Sequence, residues 1–420
     1  MSNVHNMNLV AGQEVSTEQP FDGVICFGGV DWWYHNRGHY DLQMMREFSA
    51  RVPVLYINSI GMRPPKMGEG AMFLKRVARK LKSLRQGLVR VRPNFAVYSP
   101  ATLPGGGSGV LGSWIAKTAL SIQIRIAARR CGIRNPLVWV ACPPGATVLD
   151  QLNAARIIYQ RTDRFEDFKG VDPEKIKSFD RILKQRSDIV LFCSRELYNA
   201  EKADNRQSLF VDHGVDFDVF ERAGKDADDH GREPEDISKI GRPRVGFIGG
   251  IDIHTFDPDL FVKTARALPE VQFIMIGACS LKEGWCPLDN VHLLGQRLYE
   301  QIASYMAACD VLIMPWNQSD WIKACNPVKM KEYLAIGRPV VSTYFPEVDY
   351  FRDHISVATG AEEFTAAIRK SLANPANVQR QRERVRDHTW AAKADEVWNR
   401  LAATGELEIS EENPQKLSAN

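Results

Sequence analysis

The sequence predicts an α/β protein built as two doubly wound units in tandem, and three observations carry that prediction. Short apolar runs of strand length alternate with amphipathic stretches from Phe21 onward, the pattern of a parallel sheet wrapped by helices. A polar, charged segment marked by Gly and Pro, residues 224–244, interrupts the alternation near mid-chain and reads as an interdomain linker. The 420 residues also exceed one core, since single cores stop growing at roughly 250–300 residues.

Taken in order, residues 1–20 read as a flexible N-terminus without the basic and apolar regions of an export signal. The first unit, 21–223, has strand candidates at 24–27, 54–57, 96–99, 137–140, 157–159, 189–192 and 209–211, with helices at 42–50, 113–131 and 173–186. The second unit, 245–375, repeats the scheme with strands at 245–248, 272–276, 291–293, 311–314, 340–342 and 356–358. Its helices are expected at 258–267, 298–308, 327–336 and 361–373. Residues 376–403 form a polar helical segment expected to return toward the first unit, and 404–420 read as an acidic disordered tail. Ligands of such sheets lie beyond the carboxyl ends of the strands, so two facing units imply a cleft between them.

A hydrophobic content of 44% and a charged content of 25% are ordinary for globular chains and exclude collagen, coiled coil and wholesale disorder. No apolar run approaches the ~18–20 residues of a spanning helix. Eight cysteines occur without a CxxC pair, and Cys26, Cys193 and Cys309 sit inside apolar runs. That usage fits reduced thiols in a cytoplasmic protein better than a disulfide framework or a zinc site. The net charge of +3 hides an asymmetry. Between Glu69 and Asp150 there are thirteen Lys or Arg and no acid, which leaves 41 basic against 51 acidic residues elsewhere. Such segregation points to an anionic partner: a membrane, a nucleic acid or a phosphorylated substrate.

The best-defined local motif is the stretch from Asn326 to Val341. Asn326 is a suitable N-cap, Pro327 suits the first helical position, Gly337 suits the left-handed position after the helix, and Pro339 forbids continuation. A helix N-terminus with Lys329 in its first turn can receive a diphosphate. Glu332, on the same face, can accept hydrogen bonds from a ribose. The plain alternative is a capped helix with a solvated Lys/Glu pair. Gly249 and Gly250 end the first strand of the second unit and let backbone approach a phosphate closely; Asp257 and Pro258 then start the next helix. His254, in the same loop, is a candidate contact for the leaving phosphate. The turn at Gly249 and Gly250 is not a GxGxxG, so a nicotinamide-binding reading of this strand end loses its best support.

The segment NPVKMKEYLAIGRPVVST resembles the donor-binding segment of GT-B glycosyltransferases of the family 4-like group. FDGVICFGGVDWW, YINSIGMRPP, SPATLPGG, HGVDFDVF, VGFIGGI and DHTW agree with that family in order, over roughly residues 21–403. The resemblance implies two Rossmann-like domains facing across a cleft, with a C-terminal helix. It implies a transferase that uses a nucleotide sugar, with UDP as the expected nucleotide, and needs neither cofactor nor metal. The donor side would comprise Gly249, Gly250, His254, Asn326, Lys329, Glu332 and Tyr333, with Lys329 holding the leaving diphosphate. Many retaining members carry a second glutamate, which would fall at Ala324; Asn326 or Asp320 would have to replace it here.

In the first unit, the loop after the first strand concentrates Gly29, Asp31, Trp32, Trp33, His35, Arg37 and His39. Aromatic faces beside short polar groups suit sugar recognition, so these are the acceptor candidates; the alternative is tryptophans that anchor the loop. Asp163, after a strand and between Arg161 and Arg164, is a candidate general base, although flanking guanidinium groups would lower its pKa. Residues 72–90 read as a basic amphipathic helix with Phe73, Val77, Leu81, Leu84 and Leu88 on one face and Lys75, Arg76, Arg79 and Lys80 among its cations. It is expected to lie on an anionic membrane. The acceptor implied is a lipid-linked saccharide at the cytoplasmic membrane face, in exopolysaccharide or related surface glycan synthesis. Two rival readings are a non-catalytic nucleic-acid-binding protein, weakened because the basic helix lacks interleaved aromatics, and a hinged small-ligand binder.

Overall fold

The computed structural model describes residues 20–34, 38–58, 60–61, 71–101, 109–168, 170–374 and 377–411. The first sheet comprises β1 (Gly23–Phe27), β2 (Val54–Ile57), β3 (Leu88–Arg92), β4 (Phe95–Tyr98), β5 (Pro136–Val140), β6 (Arg156–Arg161), β7 (Ile189–Phe192) and β8 (Ser208–Phe210). The second comprises β9 (Arg244–Ile248), β10 (Gln272–Ile276), β11 (Val291–Gly295), β12 (Val311–Met314), β13 (Val340–Thr343) and β14 (Ser356–Ala358). The helices are α1 (Tyr40–Phe48), α2 (Ala71–Gln86), α3 (Gly109–Arg130), α4 (Pro173–Arg186), α5 (Arg195–Glu201), α6 (Phe217–His230), α7 (Glu235–Ser238), α8 (Pro258–Ala267), α9 (Tyr299–Ala307), α10 (Asp320–Lys323), α11 (Val328–Ile336), α12 (Ala361–Ala373), α13 (Val378–Val385) and α14 (Trp390–Glu411).

Strand order is β3-β4-β2-β1-β5-β6-β7-β8 in one sheet and β11-β10-β9-β12-β13-β14 in the other. Every pairing is parallel except β3 with β4. Both sheets reverse their winding beside their first strand, at β1/β5 and at β9/β12, and each reversal opens a crevice at the carboxyl ends. The central strands are apolar on both faces because both faces are covered, whereas the edge strands β3 and β11 are partly exposed. Val24 and Cys26 of β1 pack with Tyr56 and Trp139 under α1 and α14, while Ile25 and Phe27 pack with Leu55 and Ile57 under α3.

Four expectations are corrected. The segment 224–244 is no extended linker: α6 runs through it to Gly231, a left-handed C-cap with φ 60°. Phe217 and Phe220 are buried in the core of the second unit, so α6 belongs there; its charged surface disguised a helix whose apolar residues precede residue 224. The basic helix ends at Gln86, because Gly87 turns with φ 60° and the alternating Leu88–Arg92 pairs with β4 instead. The segment after residue 377 is two helices. Val215 N–H donates to the His388 carbonyl at 2.8 Å between them, and α14 then buries Trp390, Ala394, Val397 and Leu401 in the first unit's core. That helix continues to Glu411 rather than ending at 403; residues 412–420 lie outside the described residues, as do 1–19.

Candidate functional site

The crevice of the second sheet is built by β9, β12 and the start of α11. Gly249 N–H donates to the Ile276 carbonyl at 2.8 Å, which fixes the turn at the end of β9. A Cβ on Gly249 would stand 3.1 Å from Lys329 Cε and 3.3 Å from its Nζ. Glycine leaves room for that approach, so the ammonium lies against bare backbone where the strand ends. Lys329 is half-buried, and Gly337 closes α11 with φ 84°. The loop after Gly250 is fixed by Asp252 Oδ1, which accepts from the N–H of His254 and Thr255, and Asp257 caps α8 by accepting from Leu260 N–H at 2.9 Å. His254 is exposed, and its carbonyl accepts from the Ser319 hydroxyl.

Glu332 is 4% exposed. Burial pushes its carboxyl up to about 7, against the nearby charge of Lys329 and the Tyr299 hydroxyl. That hydroxyl lies 3.3 Å from Glu332 Oε1 and 3.2 Å from Asp216 Oδ2. The expectation of a solvated Lys/Glu pair therefore fails for Glu332: the helix face it shares with Lys329 packs against α6 and α9. Tyr333 is not at the ligand surface. It is fully buried, and its hydroxyl accepts from Ile248 N–H at 3.1 Å, bracing the strand end that presents Gly249 and Gly250. Asn326 does not cap α11; Pro327 occupies that position. The Asn326 amide instead donates to the Cys193 carbonyl at the end of β7, at 2.8 Å, and its Oδ1 is buried without a hydrogen bond.

Asp163 faces this region from the first unit. The flanking arginines do not neutralise it: Arg161 is engaged by Glu166, Glu201 and Asp180, and Arg164 reaches Glu196 at 3.8 Å. Burial pushes the Asp163 carboxyl up to about 6, against a Thr162 hydrogen bond and the more distant Arg161 charge. Cys325 feels the charges of Asp163, Lys329 and Glu347, so these groups gather around the entrance of α11. His213 joins them. Burial and the ammonium groups of Lys331 and Lys329 push its imidazole down to about 3, the latter with His39, so it is neutral at physiological pH. Its Nδ1 has no hydrogen-bond partner.

The acceptor candidates divide. Trp32 is 7% exposed, with its ring against Phe95 and Tyr56 and its backbone N–H donating to Asn58 Oδ1; it anchors the loop from the core and also lines a cavity. That cavity, ≈ 350 Å³, is lined by Leu42, Arg46 and Phe95 with Asp216, Phe220 and Tyr299 of the second unit. Gly29 N–H is spent on Asp41 Oδ2 at 2.8 Å. Asp31 accepts from Trp33 N–H at 2.9 Å and from the Ser83 hydroxyl of α2 at 3.0 Å. Trp33 is partly exposed with a buried Nε1 that lacks a partner, and His39 is exposed at the start of α1. His35 and Arg37 lie outside the described residues, as do the side chains of Lys75 and Arg76. Arg79 stacks on the Tyr34 ring at 5.5 Å. Lys80 is turned inward near Asp31, where burial lowers its pKa, so it is not on a membrane-facing side of α2. A larger hollow of ≈ 640 Å³ between α7 and α9 contains none of the predicted residues.

Sequence reasoning missed the ties between the units. Asp212 pairs with Lys331 at 2.5 Å and with Lys393 of α14 at 2.6 Å. Burial opposes its charge, yet the His388 hydrogen bond and both ammonium groups hold its carboxyl well below the usual range. Arg195 of α5 lies between the rings of Phe210 at 4.3 Å and Tyr350 at 4.1 Å and reaches the buried Glu347 at 3.4 Å. Arg46 pairs with Asp216 at 2.6 Å. Each partner lies far away in sequence, so only an unexplained charge in an apolar context, as at Lys331, could have hinted at them.

Residues 242–374 match the glycosyl transferases group 1 family. Over 183 residues the chain is 30% identical to the Bacillus subtilis (strain 168) protein TuaH, named for a glycosyltransferase of teichuronic acid biosynthesis; the match covers 41% of this chain and 44% of that relative. The chain thus spans less than half the length of the curated relative it matches. Among solved structures, sucrose-phosphate synthase of Thermosynechococcus elongatus superposes with a TM-score of 0.66 at 14% identity, covering 93% of this chain and 98% of that one. HepE of Anabaena, solved with UDP and glucose, superposes with a TM-score of 0.56 at 15% identity, covering 94% and 100%. At such identities these likenesses establish the fold.

Proposed function

We propose that the protein, whose residues 242–374 match the glycosyl transferases group 1 family and whose fold is that of GT-B enzymes, transfers a sugar from a UDP-sugar to a lipid-linked saccharide during surface polysaccharide synthesis. The observation that carries this reading is the ammonium of Lys329 held against the bare backbone at Gly249, at the switch point of the second sheet. Leaving-group departure puts negative charge on the diphosphate, and preorganised positive charge at that place is commonly the largest catalytic contribution. Gly249 would leave room for the phosphates beside Lys329 and the Gly250 N–H would donate to them, and Glu332 would accept from the ribose hydroxyls. Asp163 approaches from the acceptor side and is ionised above about pH 6, which suits a base for an acceptor hydroxyl near neutrality.

UDP as the nucleotide is supported by the complex of the GT-B neighbour HepE, and polysaccharide synthesis by the name of the Bacillus relative. The acid-free window 70–149 supports peripheral attachment at the cytoplasmic face of an anionic membrane; among the described residues no helix is long and apolar enough to cross one. A thermal-shift screen over UDP-, GDP-, ADP- and CDP-sugars tests the donor. A ligand at 100 times its Kd adds about 2.7 kcal/mol of stability, and that gain is expected for a UDP-sugar with or without EDTA. Stabilisation by none of the nucleotide sugars would remove the donor site.

A further inference from the structure

Helix α3 is apolar on both of its faces. Leu120, Ile124, Ala127 and Ala128 are buried beneath it against the first sheet. On the opposite side Leu111, Ile115, Ile122 and Ile126 recur at spacings of four, seven and four, with Trp114 beside them. They are 71%, 48%, 49%, 46% and 59% exposed respectively. A helix apolar all round is normally covered on both sides, and clustered aliphatic and aromatic side chains in water mark an interaction surface. The charge around the stripe names its occupant. Lys117, Arg125, Arg129 and Arg130 are exposed on the same helix, Arg90 of edge strand β3 stands near Cys131 at its end, and the window from residue 70 to 149 contains no acid. A second copy of this chain would have to bury unopposed positive charge, because the same face on a copy carries the same sign. An anionic bilayer satisfies both demands: headgroups for the cations, acyl chains for the stripe.

We propose that the exposed face of α3 is the surface that inserts into an anionic membrane interface, with Leu111, Trp114, Ile115, Ile122 and Ile126 as its apolar contacts and Arg125 and Arg129 on headgroup phosphates. This deepens the peripheral-membrane reading above and rests on it. It also moves the contact away from α2, whose Lys80 faces inward and whose Arg79 is stacked on Tyr34.

The test is sedimentation with phosphatidylglycerol/phosphatidylcholine vesicles and with pure phosphatidylcholine vesicles. It compares wild type, Ile115→Ser/Ile122→Ser/Ile126→Ser, Arg125→Gln/Arg129→Gln and Arg79→Gln/Lys82→Gln. All substituted groups are partly or largely exposed, and circular dichroism with UDP thermal shift checks each fold. The inference expects wild type to bind the anionic vesicles. The triple serine variant should lose at least tenfold in partitioning, the α3 arginine variant about fivefold per charge on anionic vesicles alone, and the α2 variant much less. Wild-type binding unchanged by the α3 variants overturns the inference and leaves the membrane reading standing. No vesicle binding by wild type overturns both. Dimerisation of wild type that the triple variant abolishes, with no vesicle binding, assigns the face to a second copy and overturns the inference as well.

Discussion

The crevices at the ends of β1 and β9 occupy equivalent places in two similar sheets, yet they use their side chains differently. Beyond β9 the structure leaves a reactive group at the crevice, Lys329 against Gly249, while Tyr333 accepts from the backbone at the end of β9 and Asp257 from the first turn of α8. Beyond β1 the polar and aromatic groups mostly hold the loop itself. Gly29 N–H goes to Asp41, Trp32 N–H to Asn58 and Asp31 to Ser83. The contrast teaches that equivalent topology fixes where a ligand can lie, while the local spending of hydrogen bonds decides which residues remain free to touch it.

The largest way to break the comparison is at Trp32. If it belongs to the core, Trp32→Ala should cost about 3–5 kcal/mol of folding stability, read by denaturant unfolding, with the shift produced by UDP in the folded fraction unchanged. Loss of acceptor affinity without loss of stability would return Trp32 to the binding surface.

Glu332 sharpens the other side. Its folded pKa, about 7 against an ordinary 4.5, is raised by burial. A raised carboxyl pKa favours the folded state below the ordinary value, and that benefit is lost as pH rises through about 7. Glu332→Gln should therefore stabilise the free protein by up to roughly 3 kcal/mol at pH 8, converting the shift from 4.5 to about 7 at 1.36 kcal/mol per unit, and change little near pH 4. It should also raise the donor KM more than it lowers turnover, because ribose contacts serve ground and transition states alike. Equal melting shifts at both pH values would place the carboxylate in solvent. The smallest effect is expected at His254, which is exposed: His254→Ala should weaken donor binding by about 0.5–1.5 kcal/mol, the worth of one neutral hydrogen bond, measured by UDP titration.

Much of the frame was legible because buried parallel strands are continuous apolar runs: β2, β7, β10, β12 and β14 fall where the sequence placed them. Helix α11 was legible from Gly337 and its flanking prolines. Its N-terminal detail was not, because Asn326 has a partner 133 residues away at Cys193, which outcompetes the local cap. The same limit hid α6, whose apolar residues meet α9 and α11 rather than their chain neighbours, and the Asp212–Lys331–Lys393 cluster. Breaking that cluster with Asp212→Asn would leave two ammonium groups without their carboxylate. A buried charge so stranded typically costs about 3–5 kcal/mol, so unfolding should move to markedly lower denaturant.

Lys329→Ala tests the account most directly, through steady-state kinetics of donor turnover with circular dichroism as the fold control. If Lys329 holds the departing diphosphate as proposed, turnover should fall about 10²–10³-fold while donor KM changes far less. Wild-type turnover in a folded Lys329→Ala protein would contradict the assignment of the β9 crevice as the donor site.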